Sequence, residues 1–148
     1  MKVLLLEDDI ALSDLLNEHL EDKGYEVTLC TNGQEALEAL IDKKFDIALL
    51  DINTPVITGI EVLKRVRIEY KNNTPIIILT AYQDTKHLKE SFENGVDDYI
   101  KKPFDLEELD QRILKLCRQF LIEQDEKIKI DENLFFEPLS SQIFRDNE

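Results

Sequence analysis

The sequence predicts an α/β domain in which a parallel sheet is covered by helices on both faces. Short unbroken apolar runs carry that expectation: Val3 to Leu6, Ile47 to Leu50 and Ile76 to Leu79. Runs of this length suit strands buried on both sides. The stretches between them carry apolar residues at helical spacing, so strand and helix alternate along the chain. A length of 148 residues favours one compact domain with a small appendage, and a 43% hydrophobic share is enough for a packed core.

The elements can be taken in chain order. After the first run, Leu12, Leu15, Leu16, His19 and Leu20 recur at helix spacing, and Gly24 closes the stretch. Glu26 to Cys30 is a weaker strand, followed by a stripe of Ala36, Leu37, Leu40 and Ile41. Ile60, Leu63 and Val66 make a third helix after Gly59, and residues 84–94 a fourth, more polar one before Gly95. Tyr99-Ile100 is a short fifth strand. Leu106, Leu109, Ile113, Leu116, Cys117 and Phe120 mark the last helix. Asp105, with Glu108 three residues on, reads as its capping box. Five such units with right-handed crossovers suggest a flavodoxin-like (βα)5 doubly wound sheet of order 2-1-3-4-5. Residues 122–126 read as a short charged linker. Residues 127–148 read as a short β-rich C-terminal tail, with Ile128, Ile130, Leu134, Phe136, Ile143 and Phe144 in strands and Pro138 and Ser140-Ser141 at turns.

Charge excludes several roles. The net charge is −14, from 18 basic and 32 acidic residues. Such a chain is repelled by phosphate backbones and anionic lipid, so these residues are not expected to grip nucleic acid or membrane by themselves. No apolar run approaches the roughly 20 residues of a membrane helix. Cys30 and Cys117 alone imply no disulfide scaffold, and a reduced, cytoplasmic setting is expected.

The residues just beyond the strands point to chemistry. Glu7-Asp8-Asp9 comes after the first strand, Asp51 after the third, Thr80-Ala81 after the fourth and Lys101-Lys102-Pro103 after the fifth. In an open parallel sheet these points share one edge, where ligands bind. Crowded carboxylates are hard to keep ionised together without a cation. Hard oxygen ligands suit Mg²⁺, which neutralises charge on a phosphoryl group. A carboxylate can serve as nucleophile and form an acyl phosphate, and a lysine supplies compact positive charge.

These residues, with Pro55, Gly59 and the run Tyr99 to Phe104, resemble the receiver domain of bacterial two-component response regulators over residues 1–121. The resemblance implies that Asp51 is the phosphoacceptor for a sensor histidine kinase. It implies that Asp8 binds Mg²⁺ directly and Glu7 through bound water, with the main-chain carbonyl of Asn53 completing the set. Lys102 would contact the phosphoryl group, with a cis bond before Pro103. Thr80 would turn toward the phosphoryl oxygens and Tyr99 would swing inward. The implied role is a phosphoacceptor switch, with at most slow self-catalysed turnover. Two positions depart from many winged-helix relatives. Asn53 and Thr54 stand where hydrophobic residues are common, and Asn53 resembles single-domain chemotaxis receivers. Tyr82 occupies a position that tunes phosphoryl lifetime.

Gly95 to Tyr99 with Glu108-Leu109 and Arg112 resembles the OmpR/PhoB-like, winged-helix subfamily. That resemblance implies a phosphorylation-dependent homodimer through the fourth helix, fifth strand and fifth helix. The candidate pairs are Lys89 with Glu108, and Asp97 or Asp98 with Arg112 or Arg118. It also implies that residues 127–148 begin a truncated DNA-binding output domain whose recognition helix lies outside this chain. Alternatives from other classes are a stand-alone receiver acting by protein contact, a docking-only relative, and a haloacid-dehalogenase-type phosphohydrolase. The last requires a second acid where Asn53 stands. Plainer readings stay open for single residues. Asp8 and Asp9 could cap a helix, and the charges near residues 89–118 could be a solvated face.

Overall fold

The structure is a computed structural model describing residues 1–81 and 83–135, the last fourteen by their backbone alone. The strands are β1 (Lys2–Leu6), β2 (Glu26–Cys30), β3 (Ile47–Asp51), β4 (Ile76–Ala81) and β5 (Asp98–Lys102). They alternate with α1 (Ile10–Asp22), α2 (Gly33–Asp42), α3 (Gly59–Ile68), α4 (Thr85–Glu93) and α5 (Leu106–Phe135). All four strand pairings are parallel, and the sheet order is 2-1-3-4-5, as the alternation of runs predicts.

Side-chain alternation sorts the sheet into two cores. Leu4, Leu6, Ala48, Leu50, Ile76 and Ile78 pack with Ala36, Leu40, Ile60, Leu63 and Val66 from α2 and α3. Val3, Leu5, Ile47, Leu49, Ile77, Leu79 and Ile100 pack with Leu16, Leu20, Leu109 and Ile113 from α1 and α5. The central strands are therefore buried on both faces, which explains their unbroken apolar sequence.

Capping fixes where the helices begin. Asp9 accepts the Leu12 N–H at 3.1 Å, Asn32 that of Glu35 at 3.0 Å, and Thr58 that of Glu61 at 3.2 Å. Each satisfies an N–H that the helix itself cannot.

One sequence expectation is corrected. Helix α5 continues through residues 122–126, read as a linker, and through Ile128, Ile130 and Leu134, read as strand residues. No Gly or Pro occurs between Pro103 and Pro138, so no local breaker stops the helix. Phe136, Pro138, Ser140, Ser141, Ile143 and Phe144 lie outside the described residues.

The loop between β3 and α3 is tightly constrained. A Cβ at Gly59 would lie 2.0 Å from the Asp51 carbonyl oxygen. The Gly59 N–H donates to the Ile52 carbonyl at 2.9 Å, so α3 begins directly against the end of β3. Within the same loop Val56 holds φ at +69° although it is β-branched, and it is 79% exposed. Left-handed backbone costs a branched residue about 1–2 kcal/mol, and this side chain buries little in return. Val56→Gly is expected to stabilise the domain by about 1 kcal/mol, read as a higher urea midpoint at unchanged m.

Candidate functional site

The strand registers explain which end-of-strand residues meet. Leu6 is level with Leu50, Asp51 with Leu79, and Ala81 with Lys102. Alternation continues Val3 and Leu5 to Glu7, Ile47 and Leu49 to Asp51, and Ile100 to Lys102. All three polar residues thus emerge on the α1/α5 side, just beyond the last apolar row. There the Lys102 Nζ lies 3.0 Å from Glu7 Oε2, 3.2 Å from Glu7 Oε1 and 3.4 Å from Asp51 Oδ1. Glu7 is 1% exposed and Asp51 8%, whereas Asp8 is exposed. Asp9 is the α1 cap, so only part of the acidic triplet turns to the site.

Burial sets the electrostatics. Removal from water is the main cause that raises Glu7 above the usual carboxylate range, against the bonds from Lys102. Asp51 is pushed up to about 6, first by burial and then by the Glu7 charge. The Lys102 ammonium and an N–H from Asn53 oppose that rise, while a shared hydrogen bond with Asp8 adds to it. One cation is thus set against three neighbouring acids. One oxygen from each of Glu7, Asp8 and Asp51 lies within 4.8 Å of the others, among the described residues. This all-oxygen, net-negative donor set fits a hard divalent cation.

Thr80 and Tyr99 occupy the opposite face. Ile78 is level with Tyr99, and Thr80 lies two residues beyond Ile78 on the same side. Thr80 is 1% exposed, its hydroxyl 3.4 Å from the Ala81 carbonyl oxygen. Tyr99 is half-buried, edge-on to Phe92 at 5.6 Å, with the Arg112 guanidinium 5.7 Å from its ring centre. The Lys102–Pro103 bond is cis, as the resemblance implied. Asn53 is exposed in the loop after β3, and Tyr82 lies outside the described residues.

Four of the six residues expected on a dimer face, Asp97, Asp98, Glu108 and Arg112, pair within the chain. Arg112 bonds Asp98 at 2.9 Å and Glu108 at 3.2 Å. Asp97 accepts the Ile76 N–H at 2.8 Å and an Arg67 N–H at 2.9 Å. Lys89 and Arg118 are exposed. Sequence reasoning missed Arg67, which also donates to the Gly95 and Asn72 carbonyls and ties α3 to the start of β5. It likewise missed Gly33, whose backbone lies against the loop after β3. A basic residue ending one amphipathic stripe and a glycine starting another carry no distinctive sequence signal.

The fold and this strand-end site define a class, and comparison gives the family. Residues 3–114 match the response regulator receiver domain. The chain belongs to that family. It is 42% identical over 135 residues to the transcriptional regulatory protein CrdR of Helicobacter pylori, covering 91% of this chain and 61% of that protein. It is 42% identical over 119 residues to the transcriptional regulatory protein DltR of Streptococcus agalactiae, covering 80% of this chain and 53% of that protein. The chain thus spans less than two thirds of the length of these relatives. Among solved structures it resembles the receiver domain of Francisella response regulator 1452, with 34% identity and a TM-score of 0.74 over 80% of this chain and 98% of that one. The receiver domain of sensor histidine kinase PA1611 from Pseudomonas aeruginosa, which has a magnesium ion coordinated in its active-site cleft, gives 28% identity and a TM-score of 0.71. That match covers 78% of this chain and 96% of the other.

The raised Asp51 value makes stability pH-dependent. Unfolded, Asp51 titrates near its ordinary 3.8; folded and metal-free, near 6. Between those values the folded state holds more protons, so stability falls as pH rises through this window. Asp51→Asn removes that loss. Near neutral pH in chelator it is expected to be more stable than wild type by about 1–3 kcal/mol, the difference vanishing below about pH 4, as read by chemical denaturation.

Proposed function

We propose that this chain is the phosphoacceptor part of a two-component response regulator. Asp51 receives a phosphoryl group from a sensor histidine kinase. The observation that carries the reading is Lys102 spanning Glu7 and Asp51 at one strand edge, in a chain of the receiver family. A groove lined by Leu12, Leu15, Ala81, Pro103 and Phe104 opens beside Lys102 and supports docking of a kinase there.

In this reading an Asp51 carboxylate oxygen attacks the phosphorus of the phosphohistidine. An O–P bond forms, the P–N bond breaks, and the departing imidazole takes up a proton. Asp8, Asp51 and the Asn53 carbonyl would hold Mg²⁺, with Glu7 acting through bound water. Bound there, the ion supplies positive charge against the phosphoryl oxygens. Lys102, already 3.4 Å from Asp51, supplies the second positive charge. The product adds a charge of about −1.5 to −2, by analogy with other phosphorylated side chains. Thr80 turns to the new oxygens, and Tyr99, on the same face, moves inward. The surface of α4, β5 and α5 is the element biased by this change.

The output assignment is of the OmpR/PhoB type. Residues 1–121 form the receiver, and α5 carries the chain on through 122–135 toward a DNA-binding output domain. The relatives' identity as transcriptional regulators supports a transcriptional output, and the acidic receiver leaves DNA contact to that output domain. Phosphorylation drives a two-fold homodimer in which Arg112 exchanges its in-chain carboxylates for those of a second copy.

Acetyl phosphate with Mg²⁺ is expected to add one phosphoryl group to wild type, read by intact mass, and none to Asp51→Asn or in excess chelator. Equal labelling of Asp51→Asn overturns the assignment. Beryllofluoride with Mg²⁺ is expected to shift sedimentation from monomer to dimer, and Arg112→Ala to weaken that dimer by about 1 kcal/mol or more. An unchanged monomer at high concentration counts against the dimer.

A further inference from the structure

The loop after β3 is held at two ends, and the Asn53 peptide lies between them. At the near end the Ile52 N–H donates to Leu79 of β4 at 3.1 Å, and the Ile52 carbonyl accepts the Gly59 N–H at 2.9 Å. The Asn53 N–H faces the Asp51 carboxylate. At the far end Thr54, only 6% exposed, donates its hydroxyl to the Ile57 carbonyl at 3.0 Å. The Pro55 carbonyl accepts the Ile57 N–H at 2.9 Å and the Gly33 N–H at 3.2 Å. Gly33 opens α2, which shares one face of the sheet with α3. A Cβ there would fall 1.7 Å from the Ile57 oxygen and 2.5 Å from its carbon. The first turn of α2 therefore lies flat on residues 55–57, and no side chain larger than hydrogen fits between.

We propose that Thr54 and Gly33 are positioning residues that fix the Asn53 main-chain carbonyl for the divalent cation at Glu7, Asp8 and Asp51. This rests on the Mg²⁺ reading above. Neither residue touches the carboxylates. Both act through the loop: the Thr54 hydroxyl closes 54–57 into a turn, and Gly33 seats that turn against α2. Asn53 then has little slack, being fixed to the strand on one side and to the turn on the other. Such slack matters because Mg²⁺ demands near-ideal octahedral geometry at about 2.0–2.1 Å. It also explains a buried hydroxyl at a position where a hydrophobic side chain would otherwise fill the space. An apolar residue packs there but leaves the Ile57 carbonyl without this partner.

The test measures Mg²⁺ affinity of the unphosphorylated chain by titration calorimetry or amide chemical shifts, well below the melting temperature. Wild type, Thr54→Ser, Thr54→Val and Gly33→Ala are compared. Thr54→Val keeps the volume and loses the hydroxyl, and its affinity is expected to fall on the order of tenfold, the low end of losses when supporting residues of a metal site are changed. Thr54→Ser restores the hydroxyl and is expected to stay near wild type. Gly33→Ala is expected to weaken binding as Thr54→Val does; if it fails to fold, the Thr54 pair decides. A folded Thr54→Val that binds Mg²⁺ like wild type overturns the proposal, as does equal loss in Thr54→Ser and Thr54→Val. Absence of saturable Mg²⁺ binding by wild type overturns the metal reading itself, a separate result.

Discussion

One ammonium group among buried acids is the constraint on which the site depends. Glu7 and Asp51 lie at the ends of adjacent strands with almost no access to water. Two such carboxylates repel across a region of low polarisability, and each resists ionisation there. Lys102 reaches both and lowers the cost of keeping them charged. It does not remove that cost, since Glu7 and Asp51 still titrate above their ordinary range. The site thus has a deficit of positive charge built into its fold. In the proposed function, a divalent cation would relieve that deficit and a phosphoryl group would bring more negative charge to the same point.

Keeping that imbalance in place requires rigid surroundings. The two apolar cores clamp the central strands, so the strand ends cannot drift apart to lessen the repulsion. Gly59 lets α3 start against the Asp51 carbonyl, and Gly33 lets α2 rest on the next part of the loop. Val56 accepts an unfavourable backbone angle between these two close approaches. Strain of this kind persists where the surroundings over-determine the chain, and it gathers at functional sites.

Around β5 several contacts are ionic or aromatic. Tyr99 lies between the ring of Phe92 and the guanidinium of Arg112. Arg112 is itself shared between Asp98 and Glu108. Partly exposed pairs of this sort contribute little to stability, so they can be exchanged at small cost. Arg67 is different. It is largely buried and spans three segments, and with Asp97 it pins the start of β5 to α3. Arg67 and Asp97 thus anchor β5 on one side, while the partly exposed Arg112 pairs lie on the other.

The alternation of strand and helix, the two buried faces and the strand-end residues could all be read from the amino-acid order. They could be read there because these features are local. An apolar run ends where a carboxylate, hydroxyl or lysine begins, and alternation assigns each residue a side. Glu7, Asp51, Thr80 and Lys102 were legible in this way, and the parallel topology brought them to one edge. The course of residues 122–135 was not, because alternating Ile128 and Ile130 look like a strand while no Gly or Pro ends the preceding helix. Packing in three dimensions set Lys102 between Glu7 and Asp51, turned Arg112 to Asp98 and brought Gly33 against Ile57. Those contacts join segments far apart in the chain. They depend on how the crossover helices seat against the sheet, and no periodicity in the sequence records that distance.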